Sequence, residues 1–238
     1  MMEDSRRGSI AVDRRLLSML TGVVAGVVAF AVDFVPAPEG GILGAAVSSG
    51  FSWGLVSFAV GYFAPTRRVA LIVSVGTLAL AVTTYYSFVL LFSDRWHQSS
   101  GASSLPNAFS PVTRALMFWM AGALLGGLFL GWLAYGAKTG SARSSGIAFG
   151  VAIGALIGEA AYAVFHFAFI WVGPLDAFVW TQLQPAATQL CLAAIVAIVA
   201  LWIRRRSVSP LAVLAAGTIS TTVSVALWYL IQAVRTTL

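Results

Sequence analysis

Long apolar blocks alternate with short polar breaks along the whole chain. Each block is roughly twenty residues, the length a helix needs to cross the hydrocarbon of a bilayer. The blocks predict membrane helices over residues 15–34, 45–64, 69–92, 115–135, 147–172, 186–203 and 211–234. The expected fold is an all-α polytopic transmembrane helix bundle of seven spans, as one domain over 14–238 behind a polar tail at 1–13. Helix-start chemistry marks several breaks. Thr66 can cap the third segment, and Ser110-Pro111 and Ser209-Pro210 read as a cap followed by a first-turn proline for the fourth and seventh. Gly173-Pro174 stops the fifth segment. Residues 175–184 read either as a short interfacial helix or as the wet start of the sixth.

Charge orients the blocks. With the N-terminus in the cytoplasm, the inner side holds Arg6, Arg7, Arg14, Arg15, Arg67, Arg68, Lys138, Arg143, Arg204, Arg205 and Arg206. The outer side holds only Arg95, Arg114 and Arg235. This is the asymmetry that inserted proteins obey. Removing any internal crossing would carry a basic cluster outside, so charge favours seven crossings, N-terminus in and C-terminus out, in a bacterial plasma membrane. Arg14 and Arg15 before an apolar run also suit a signal peptide. The run is long for a signal core and no clean small-residue cleavage site follows, so a retained anchor is expected.

Composition removes other classes. Of 238 residues, 59% are hydrophobic and 9% charged, where a soluble domain carries about 25% charged. The net charge of +6 sits between apolar blocks, where it serves topology and lipid headgroups rather than nucleic acid. The single cysteine, Cys191, lies in an apolar stretch and has no partner for an intrachain disulfide. With two histidines and no Cys/His cluster, neither a metal nor a cofactor is expected. Tryptophans 96, 132, 171, 180, 202 and 228 fall near predicted span ends, as interfacial anchors do.

Candidate chemistry concentrates in the fifth segment. Gly146, Gly150, Gly154 and Gly158 form a ladder, followed at once by Glu159 and then by Tyr162 and His166 at helical spacing. A carboxylate inside a span is a functional candidate because it is expensive to keep there. Packing on the ladder should turn Glu159 into the bundle, with His166 about 10 Å farther out on the same face. The three residues then read as a substrate or proton path. The structural alternative is a carboxylic acid hydrogen-bonded to a Tyr or Thr of another helix.

Asp33 and Arg114, near the outer ends of segments one and four, are a candidate intramembrane ion pair, the alternative being that each reaches the head-group region. Gly122 and Gly126 share the small-xxx-small spacing of Gly150, Gly154 and Gly158, and all five are expected to pack helix on helix. Thr83 to Tyr86, and Thr218 to Ser224, are hydroxyl-rich and suit either back-bonding or a polar cavity. Gly50-Phe51-Ser52-Trp53-Gly54 matches a nucleophile pattern that needs a strand-to-helix elbow. Inside a membrane helix its small residues favour packing, so an enzyme is not expected. Gly22-x-x-x-Gly26 echoes Gly154-x-x-x-Gly158, and Gly76-Thr77 echoes Gly217-Thr218. A 3+1+3 duplication would explain both.

Ser48 to Trp53, Thr84 to Tyr86 and Gly158 to Tyr162 together resemble a family of small, uncharacterised, actinobacterial-type integral membrane proteins, a domain of unknown function. The resemblance implies a multi-pass membrane fold and supplies no functional residues. Two function classes follow from the residues. One is a small permease or ligand-binding membrane protein using the intramembrane carboxylate. The other is a non-transporting structural or accessory component, bound in the bilayer to a partner protein or to a second copy.

Overall fold

The computed structural model describes residue 16 and residues 19–36, 39–92, 105–204 and 207–237. The tail at 1–13, Arg14, Arg15, most of the expected outer loop (93–104), Arg205 and Arg206 lie outside the described residues. The elements are α1 (Met19–Val32), α2 (Glu39–Val47), α3 (Gly50–Phe63), α4 (Arg67–Phe92), α5 (Leu105–Thr139), α6 (Ala142–Leu156) and α7 (Gly158–Phe165). A π turn (His166–Ile170), α8 (Ala177–Ile203) and α9 (Pro210–Thr237) complete them. Every regular element among the described residues is helical.

Five stretches are long and apolar enough to cross a membrane: Glu39–Phe63, Arg67–Phe92, Val112–Thr139, Ala177–Ile203 and Pro210–Ala233. Ala142–Leu156 and Gly158–Ile170, bent by 54° to each other, make a sixth if the pair is one broken span rather than a re-entrant loop. The chain is thus a multi-pass membrane protein of five to six long apolar helices. The block expected at 15–34 is described as the shorter apolar helix Met19–Val32.

Several boundaries move. The second segment starts at Glu39 rather than 45 and is interrupted at Ser48-Ser49. The fourth begins at Leu105, so Pro111 lies inside α5 instead of opening it. The fifth breaks at Ile157. The sixth starts at Ala177, capped by the Asp176 carboxylate, which accepts from the Val179 N–H at 3.1 Å. Residues 177–184 are therefore the start of the sixth helix, with Pro185 tolerated inside it. Thr66 caps α4 as expected, accepting from the Val69 N–H at 3.3 Å.

Three turns meet at one end of the molecule. Lys138 donates to the Ala64 carbonyl at 2.7 Å, tying the end of α5 to the α3–α4 turn. The Ser209 N–H donates to the Ala142 carbonyl at 2.9 Å, tying the α8–α9 turn to the start of α6. Arg67 lies over the Trp132 ring and Arg204 over the Tyr62 ring, at 6.0 and 5.7 Å. Arg67, Arg68, Lys138, Arg143 and Arg204 so share one basic end.

Two tightly packed units build the bundle. In the first, α4 packs on α5 and α3. Ser57 donates to the Ser74 carbonyl at 3.2 Å and Ser74 donates to the Ser57 carbonyl at 2.9 Å, both side chains fully buried. Small hydroxyls let α3 and α4 approach and then bond across the contact. Ser74→Ala should cost about 0.6 kcal/mol, the mean for such bonds inside membranes. An unfolding midpoint in detergent that does not fall would contradict this. In the second unit, α6 packs on α9. A side chain at Gly146 would meet the Ser209 carbonyl at 2.7 Å, and one at Gly154 the Gly217 carbonyl at 2.6 Å. Gly150 likewise faces Val213 and Gly217, and Gly158 faces Ser224.

The first unit contains a parallel contact. Gly22 and Gly26 of α1 lie against Thr77, Ala81 and Thr84 of α4. Segment one thus meets segment three through glycines, as segment five meets segment seven.

Candidate functional site

The break between α2 and α3 is stitched by polar side chains. Ser49 caps α3 in an extended conformation and accepts from the Ser52 N–H at 3.2 Å. Its hydroxyl donates to the Ala45 carbonyl at 2.7 Å. Ser52 donates to the Ala46 carbonyl at 2.5 Å, and the Trp53 indole N–H to the Val47 carbonyl at 3.0 Å. The last carbonyls of α2, which a membrane would leave without water, are satisfied from the first turn of α3. Ser52 takes part in this stitching.

Beside the break lies a cavity of about 370 Å³. Ser48, Gly50, Trp53 and Gly54 supply one wall, Leu78, Val82, Tyr85 and Tyr86 of α4 the second, and Trp119, Gly122, Ala123 and Gly126 of α5 the third. Leu130 and Leu156 close it toward the basic end. Tyr85 sits eighteen residues beyond Arg67, roughly 27 Å along α4. The cavity thus belongs to the end opposite the three basic turns. The Tyr85 ring packs edge-on against Trp53 at 5.8 Å and Tyr86 at 5.1 Å. Its hydroxyl donates to the Asp33 carboxylate at 2.7 Å.

Two sequence expectations are corrected here. No ion pair joins Asp33 to Arg114 among the described residues; Arg114 is exposed, and Asp33 is held by the Tyr85 phenol. Among the described residues, Gly122 and Gly126 do not pack against a helix. A side chain built at either would meet nothing within 4 Å, because this face of α5 looks into the cavity. Gly150, Gly154 and Gly158, with the same spacing, do face a helix.

The fifth-segment residues sit elsewhere. Glu159 lies in the first turn of α7, just past the break at Ile157, and is exposed on the outside of the described chain. The ladder does pack on α9, and Gly158 keeps the start of α7 against it, but Glu159, the next residue past the break, stands on an exposed face of α7. Among the described residues nothing hydrogen-bonds its carboxyl. The Tyr162 and His166 rings are 5.8 Å apart, and His166 Nδ1 is buried without a hydrogen-bond partner among the described residues. None of the three lines the cavity. Among the described residues no cluster of His, Cys, Asp and Glu could hold a metal ion.

The sequence placed Trp53, Tyr85 and Tyr86 in two separate motifs, and the fold brings those motifs to one site. Trp119 carried no signal beyond its place in an apolar run. No protein-family model, no curated protein and no solved structure matches the chain.

Proposed function

We infer that the protein is a small ligand-binding membrane protein of the permease class, and that its binding site is the cavity beside the α2–α3 break. The observation that carries this is the coincidence of cavity and break. Interrupted helices at membrane depth are tolerated where they line a cavity, and carriers place substrates at such points. A mostly apolar pocket with a few fixed polar groups is also the usual form of a small-molecule site. The protein has no catalytic constellation in this reading and acts by binding.

Seven crossings, with the N-terminus inside and the C-terminus outside in a bacterial plasma membrane, belong to the same proposal. The gathering of Arg67, Arg68, Lys138, Arg143 and Arg204 at one end supports it. So does the matched packing of α1 on α4 and α6 on α9, which favours a 3+1+3 duplication. The cavity then opens toward the outer side.

The test replaces Cys191, which is exposed, with alanine and introduces Gly122→Cys. A membrane-impermeant maleimide should label it on intact cells. Labelling only after permeabilisation would reverse the orientation, and protection in both conditions would sink a wet binding cavity.

The accessory reading keeps one specific support, the outward Glu159. A carboxyl on the bilayer-facing side is expensive unless another chain covers it. Loss of phenotype in a folded Glu159→Gln protein that still binds ligand in the cavity would favour that reading, while an unchanged phenotype would count against it.

A further inference from the structure

We propose that the cavity takes an organic cation, of the size of a quaternary ammonium group carrying one aromatic or short aliphatic arm. This rests on the cavity being the binding site and names the chemistry it selects. Four aromatic side chains, Trp53, Tyr85, Tyr86 and Trp119, line a space of about 370 Å³. Ring faces attract cations through their quadrupoles, with tryptophan and tyrosine the strongest, and the attraction grows when water is excluded.

No Lys or Arg is among the described lining residues. The Asp33 carboxylate stands one hydrogen bond behind the wall, with the Tyr85 phenol between. That bond pulls the phenol proton toward Asp33 and leaves the ring richer in electrons. It also places a negative charge where a bound cation feels it without direct contact.

The helix termini do not reverse this preference. At the break the carboxyl end of α2 meets the amino end of α3, so their dipoles oppose each other locally. The α2 carbonyls of Ala45, Ala46 and Val47 are already bonded. Gly50, Gly122 and Gly126 leave open space where side chains would stand, which gives a trimethylammonium head room to sit between the rings.

The experiment uses the full chain in phosphatidylcholine nanodiscs, which carry no net charge to concentrate cations. Benzyltrimethylammonium and its uncharged isostere neopentylbenzene are titrated while tryptophan fluorescence is read. Gly126→Leu, with the cavity occupied, corrects for partition into lipid. The cation should bind at least tenfold more tightly than the isostere. Asp33→Asn should bring the two within threefold, and Tyr85→Phe should narrow the gap partly, since it keeps the ring and removes the link to Asp33. Equal or tighter binding of the isostere to the unmodified protein overturns the cation proposal and leaves the binding site standing. If neither probe gives a saturable change beyond the Gly126→Leu background, the binding reading itself fails, and the proposal with it.

Discussion

Gly154→Leu should destabilise the protein by about 3 kcal/mol or more, lowering the unfolding midpoint by roughly 10 °C. A first side-chain carbon there would stand 2.6 Å from the Gly217 carbonyl oxygen, 2.7 Å from Ser220 Cβ and 2.9 Å from the Thr221 amide nitrogen. Two of these are backbone atoms, which cannot rotate away. α6 and α9 would have to separate along a seam where Gly150 and Gly217 face one another. The bond from Ser220 to the Val151 carbonyl, 2.9 Å, crosses the same seam and would be lost. α9 has substantial contacts only with α6 and α7 among the described elements, so little else would hold it. Gly41→Leu is the control, since nothing lies within 4 Å of a side chain there. Equal stability of the two variants, read by thermal unfolding in detergent, would mean that α6 and α9 do not meet through glycine.

The two glycine pairs show where sequence reading reaches its limit. Gly122/Gly126 and Gly150/Gly154 have identical spacing in equally apolar surroundings. One pair admits a helix and the other leaves a cavity. Spacing says that a face is narrow, and only the partner's position says what occupies it. Hydropathy has a similar blindness to breaks. Residues 45–64 read as one span because Ser48, Ser49 and Ser52 scarcely lower the average, yet the hydroxyls of Ser49 and Ser52 bond the last carbonyls of α2 where the helix stops and restarts. Helix existence, the small-residue face of α6 and the Thr66 cap were legible because each is local or periodic, while the partner of that face, α9, was not.

The candidate site was legible only in pieces. Asp33 stood out as a charge, and charge complementarity pointed to Arg114. In the fold a phenol from α4 reaches it, a partner that no charge count would nominate. Tyr85 and Tyr86 belonged to a hydroxyl-rich run whose commoner use is back-bonding. Glu159 drew attention through its cost, and its expected inward turn relied on an unbroken helix. The interruption at Ile157, with a 54° bend, removes that premise.

Filling the cavity should abolish binding without harming the fold. In the double variant Gly122→Leu/Gly126→Leu, both side chains enter open space, since neither position has an atom within 4 Å of a built side-chain carbon. The new carbons would pack against Trp53, Trp119 and Leu78, and each buried methylene contributes about 0.8 kcal/mol when it leaves water. Stability should therefore hold or rise, the opposite of the result at Gly154. Affinity for benzyltrimethylammonium should fall at least a hundredfold, because the space between the rings is gone while Asp33 remains in place. This separates occupancy from electrostatics: Asp33→Asn weakens the cation alone, whereas the filled cavity excludes every ligand. A double variant that folds and still binds with undiminished affinity would place the ligand elsewhere, and the Glu159 face of α7 would then be the region to probe.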